Sequence, residues 1–152
     1  MKTLANPRDR DELLARLETL RKDSSRRWGV MNVEQMVCHL SDAFLMMRGE
    51  LRASDATSVL HRTLIKWIAL YSPMQWPQGI LTRPEVDQMI GGTRPCDFGD
   101  DRARVHRLLT RCANEPVDCD GRVHPIFGRL SRSAWMRWAY LHTDHHLRQF
   151  GA

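Results

Sequence analysis

Apolar residues recur every three or four positions through most of this chain, a periodicity that commits it to helices. The clearest case is the last stretch, where Ser131 can cap a helix that runs to Phe150 and Gly151 can end it. A first helix is expected from Pro7 to Lys22, with Leu13, Leu17 and Leu20 on one stripe and Leu14 beside it. A second starts after Asn32, with Gln35 at the capping-box position, and runs to Arg48 before Gly49. A third should cover Asp55 to Tyr71, where Val59, Leu60, Thr63, Leu64, Trp67, Ile68 and Tyr71 mark a broad buried face. A fourth spans Asp100 to Ala113, with Val105, Leu108, Leu109 and Cys112 apolar. Between the third and fourth lies a Pro- and Gly-rich connection from Pro73 to Asp97, within which Thr82 to Gly92 could form a short helix. Glu115 to Leu130 reads as irregular or as a short hairpin. The expected fold is all-α: one domain over residues 1–152, a four-helix bundle with a long crossover and an irregular segment before the last helix.

Composition narrows the function classes. At 152 residues and 42% hydrophobic, the chain can fill one core. No apolar run is longer than Trp67–Tyr71, far below the roughly 20 residues of a membrane span. The N-terminus turns charged at once, so the cytoplasm is the expected compartment. The four cysteines show no C-x-x-C spacing, and Cys38 and Cys112 fall inside helical patterns as small apolar residues. A net charge of +5 raises the question of nucleic acid. The arginines are scattered among acids in every segment and are not interleaved with aromatics, so no nucleic-acid partner is expected.

The histidines carry the functional signal. His142 and His146 stand at i, i+4 in the last helix, on the stripe Trp135, Trp138, His142, His146, Gln149 that should face the core. His39 lies on the stripe Met36, His39, Ala43, Met46 of the second helix and should also point inward. Buried imidazoles need polar partners, and a divalent metal is one solution, with three nitrogens leaving a fourth position open. The bland alternative is three satisfied core histidines. His145 sits at the edge of the stripe, where it could replace either ligand or bond to it. Asp144 should face solvent, and His61 and His106 should lie on the surface.

Four passages suggest a family. They are Trp28-Gly29-Val30-Met31 with Gln35 to Leu40, Trp76-Pro77-Gln78-Gly79, His124-Pro125-Ile126-Phe127-Gly128-Arg129-Leu130, and His142 to Gly151. In that order they resemble the DinB/YfiT-like superfamily, within it a branch of small proteins of unknown function. The resemblance implies an up-down-down-up bundle and a metal held by His39, His142 and His146, with His145 matching a histidine that is usually not a ligand. Relatives include transferases that use bacillithiol or mycothiol, and mycothiol-dependent isomerases, in which the metal lowers a cofactor thiol's pKa.

The expectation is therefore a Zn²⁺- or Ni²⁺-dependent enzyme acting on a small molecule by thiol S-transfer or hydrolysis, with a low-molecular-weight thiol as candidate cofactor. The alternative is a small-ligand-binding or stress-response bundle without turnover. His124 has two readings: it bonds backbone in a tight turn while Phe127 plugs the bundle end, or it reaches the pocket as an acid/base or supporting group. Gln149 could bond a ligand or simply pack. Pairing of two copies is compatible with a bundle of this kind, though no residue fixes it.

Overall fold

The computed structural model describes residues 1–80, 82–115 and 119–152. Among them the chain is mostly helical, with five α-helices and one two-stranded sheet.

Helix α1, Pro7–Thr19, begins with Pro at its first position, and the Asn6 side chain accepts from Arg8 N. It ends short of the expected Lys22 because Leu20 turns extended and is buried. Arg102 Nη1 caps that end by donating to the Glu18 and Leu20 carbonyls at 3.1 and 3.0 Å. Helix α2, Val33–Arg48, has the expected bounds. Asn32 and Gln35 form both halves of a capping box, and Gly49 closes the helix at φ 75°.

The third helix departs from expectation. Residues 52–58 are not helical: Asp55 caps Thr57 N, and Ala56 N donates to the Pro125 carbonyl at 2.8 Å. A π-helical turn, His61–Ile65, then leads into a short α3, Lys66–Tyr71. The extra residue in that turn rotates the downstream side chains by about 100° relative to an uninterrupted helix. Leu70 is buried, with Ile65 and Ala69 partly so, whereas Val59, Leu60, Leu64, Trp67 and Tyr71 stay exposed. The expected buried face is a surface.

The crossover forms a 3₁₀ turn, Pro84–Val86, rather than a short helix. Its polar groups bond instead to α2, where the fully buried Asp42 accepts from Gln88 Nε2 at 2.8 Å, Thr93 N at 2.8 Å and Thr93 Oγ1 at 2.6 Å. This loop covers the outer side of α2 and leaves that helix buried nearly all round.

Helix α4, Phe98–Asn114, starts at the Asp97 cap and buries the expected Val105, Leu108, Leu109 and Cys112. Residues 116–118 of the segment read as irregular lie outside the described residues. Beyond them, β1 (Val123–His124) and β2 (Gly128–Arg129) form an antiparallel hairpin with His124 opposite Gly128. Gly128 at φ 68° ends its three-residue loop. Helix α5, Arg132–Gln149, starts at the Ser131 cap, and Gly151 stands beyond its end at φ 79°. Helix α2 packs on α4 and α5, and α1 packs on the same two, around a core that includes Leu17, Phe44, Leu109, Trp135 and Leu147. Among the described residues no helix is long and apolar enough to cross a membrane.

Candidate metal centre

Helices α2 and α5 bring His39, His142 and His146 together. Their ring centroids stand 5.0 Å (39–142), 4.8 Å (39–146) and 4.7 Å (142–146) apart. His39 and His146 are buried and His142 is half-buried. One nitrogen from each lies within 4.8 Å of the others, so the triad could hold a metal ion. His39 Nε2 and His142 Nε2 are 3.2 Å apart. Two ligands at 2.0–2.1 Å from a tetrahedral ion stand about 3.3 Å apart, so this pair already has the separation a cation requires.

Hydrogen bonds outside the triad decide where the ring protons sit. His39 Nδ1 lies 2.8 Å from the Val86 carbonyl. A carbonyl only accepts, so Nδ1 carries the hydrogen and Nε2 keeps its lone pair. The same logic reaches His146 through an amide. Gln149 Nε2 donates to the Trp28 carbonyl at 2.8 Å, which turns Oε1 toward His146 Nδ1 at 2.9 Å. Oε1 also only accepts, so His146 presents Nε2 as a lone pair. Gly29, at φ 78°, lets the Trp28 loop come this close, since a Cβ there would lie 2.4 Å from Gln149 Nε2. His142 stacks on Trp138 at 4.7 Å and 17°.

Burial lowers the pKa of all three rings, well below the usual value for His142 and His146, and the neighbouring imidazoles lower those two further. The Val86 carbonyl and the Asp42 charge oppose the shift at His39 without reversing it. At neutral pH the triad is therefore three neutral imidazoles, a donor set that can hold a metal ion.

A family model described as "Protein of unknown function (DUF1569)" matches residues 4–152. The chain belongs to this family. No curated protein and no solved structure matches it. The match spans all of the triad and its supporting groups, so the site lies wholly within the DUF1569 region.

The other expected residues of this DUF1569 chain fall at different distances from the triad. Gln149 is buried and orients His146 through its Oε1. His145 stands outside the cluster, 5.2 Å from the His146 ring and 5.9 Å from Trp28. His124 is one ring further out. Its Nδ1 accepts from Ile126 N at 3.1 Å and Phe127 N at 3.2 Å, and its ring meets Trp138, the ring that carries His142, at 4.8 Å. Asp144, expected in solvent, is half-buried between Arg16 at 2.7 Å and Arg148 at 2.9 Å. Cys38 and Cys112 are thiols that burial pushes up to about 12, consistent with small apolar residues.

Three supporting groups were not anticipated from the sequence: the Val86 carbonyl, Asp42 and Trp76. Asp42 left a trace there, as the one charge inside the otherwise uncharged run Met36–Met47. Trp76 closes the site from the crossover, 6.3 Å from His142, with its Nε1 donating to the Ala69 carbonyl at 2.7 Å.

Proposed function

We propose that His39, His142 and His146 bind one divalent cation, Zn²⁺ or Ni²⁺, and that the chain is a metal-dependent enzyme acting on a small molecule. The carrying observation is that two of the three rings have their Nδ1 hydrogens committed to outside acceptors while all three converge on one point. When bound, the cation supplies Lewis acidity, lowering the pKa of a water or thiol and stabilising developing negative charge. The chain's own residues do the rest. The Val86 carbonyl and Gln149 hold two ligand rings in orientation, as supporting groups of metal-bound histidines do elsewhere. Trp138 and Trp76 flank the half-buried His142. The reaction class is thiol S-transfer or hydrolysis, and the architecture is a single DinB-type four-helix bundle. The resemblance to the DinB/YfiT-like superfamily supports both readings.

Metal analysis of protein purified without a histidine tag tests the proposal. We expect about one cation per chain, falling below about 0.2 in His142→Ala with the helix content unchanged. Less than about 0.2 in the unsubstituted protein overturns it.

The exposed stretch from Val59 to Met74, which runs through the π-helical turn and α3, supports a second component of this reading, a homodimer. Leu60, Leu64, Trp67 and Tyr71, with Val59 and Met74, are all at least 40% exposed. Six large apolar side chains left uncovered along one short stretch are the kind of surface an interface covers, and a standard one takes roughly 800 Å² per partner. A second copy of this chain is the occupant we assign. In sedimentation velocity at micromolar concentration the protein should run as a dimer and Leu64→Glu as a monomer. A monomeric unsubstituted protein refutes the assignment.

A further inference from the structure

Beside the triad lies a cleft of about 190 Å³ walled by the indoles of Trp28 and Trp76. Arg27, Gln75, His145 and Arg148 give it its polar lining. The cleft shares residues with the surroundings of the triad: Trp76 is 6.3 Å from His142, and His145 is 5.2 Å from His146. Trp76 and His145 thus border both the cleft and the triad, whose own rings do not line the cleft.

The charge of the lining is one-sided. It holds two arginines and, among the described residues, no acid. Arg148 donates to Asp144, a carboxylate it shares with Arg16, which also reaches Glu12 at 3.7 Å. Arg27 is exposed and has no ion pair among the described residues, while its main chain is anchored. Its backbone N–H donates to the Gln149 carbonyl at 2.7 Å. Its guanidinium lies beside Gly151, where a Cβ would stand 2.6 Å from Nη2. An exposed guanidinium without an ion pair offers a planar fork to an oxyanion, and the two indoles beside it suit an apolar or aromatic body.

We propose that this cleft binds a small anionic molecule, a carboxylate or phosphate carried on an apolar or aromatic body, with Arg27 as its main counter-ion. The proposal names the substrate class of the metal-dependent reaction and rests on that reading for its catalytic meaning, while the binding itself needs no metal. The volume fits a small metabolite rather than the drug-sized ligands of clefts of 300 Å³ and above. A cationic substrate would face the two arginines and is disfavoured.

Tryptophan fluorescence of chelator-treated protein, titrated with benzoate, phenyl phosphate and benzyl alcohol, is the test. The three share a ring and differ in the head group, and Trp28 and Trp76 report from the cleft walls. We expect one of the two anions to bind at least about tenfold tighter than benzyl alcohol, and which one does so separates carboxylate from phosphate. Arg27→Gln should erase that preference and Arg27→Lys should restore most of it. The inference fails if none of the three compounds binds, if benzyl alcohol binds as well as both anions, or if Arg27→Gln keeps the preference. Metal content measured before chelation keeps the two readings apart. Full metal without anion preference sinks the cleft alone, and anion preference without metal sinks the triad alone.

Discussion

Metal-free protein will lose stability steeply as the pH falls from about 6.5 toward 3, and His124 alone will account for much of the loss. This ring is buried against Phe127 at 4.8 Å, Trp135 at 5.2 Å and Trp138 at 4.8 Å. Its Nδ1 already accepts two backbone N–H groups, so protonation there would break both bonds. Burial holds its pKa at about 3, against an ordinary 6.5. The unfolded chain therefore takes up a proton near pH 6.5, while the native chain refuses it until about pH 3. The stabilisation is present above 6.5, is lost across the window and is flat below it. One proton corresponds to about 1.4 kcal/mol per pH unit, so the loss by pH 3 is on the order of 4 kcal/mol. His39, His142 and His146 are also shifted down by burial and act with the same sign. Denaturant titrations in chelator at pH 7.5, 6 and 5 will show the slope, and His124→Asn should reduce it by about one proton. A flat profile over that range would falsify the picture of neutral buried rings.

Asp42→Ala will weaken both the fold and cation binding, although Asp42 touches no member of the triad. Its carboxylate takes three hydrogen bonds from the crossover, two from Thr93 and one from Gln88. Removing it leaves buried donors unpaired, at about 1–3 kcal/mol each and less than additively, so a loss of about 3 kcal/mol is expected. The same loop carries the Val86 carbonyl that sets the His39 ring. Once the loop is loosened, His39 can turn, and metal affinity should drop by about 10- to 100-fold, as when a supporting partner of a ligand histidine is removed. Chelator competition measures the second effect and urea titration of metal-free protein the first. A variant that loses stability but keeps full metal affinity would show that the loop covers α2 without orienting the ligand.

How legible each feature was in the sequence depended on where its information resides. The bounds of α2 and the ends of α5 were readable because Asn32, Gln35, Gly49, Ser131 and Gly151 act locally, within a turn of the groups they satisfy. The convergence of His39 with His142 and His146 was readable because each sits on a stripe whose inward side is marked by apolar neighbours. The third helix misled because apolar periodicity reports that a face will be covered without saying by what, and a π-helical turn has no spacing signature. The Asp42 bonds and the Val86 contact join segments more than forty positions apart, and nothing beside either residue announces the other. The cleft was invisible for the same reason. Trp28, Trp76 and Arg148 come from three separate regions and meet only in the fold.

The two ring-orienting contacts have different fates under mutation. His39 leans on a main-chain oxygen, which every amino acid supplies, so drift at position 86 can reshape the side chain there without cancelling the bond. His146 depends on an amide that a single codon change can replace with a charge or with nothing. Among descendants of this chain, then, position 149 is where the electron richness of the ligand set can be tuned, while its counterpart in the crossover is shielded from selection by the polymer backbone itself.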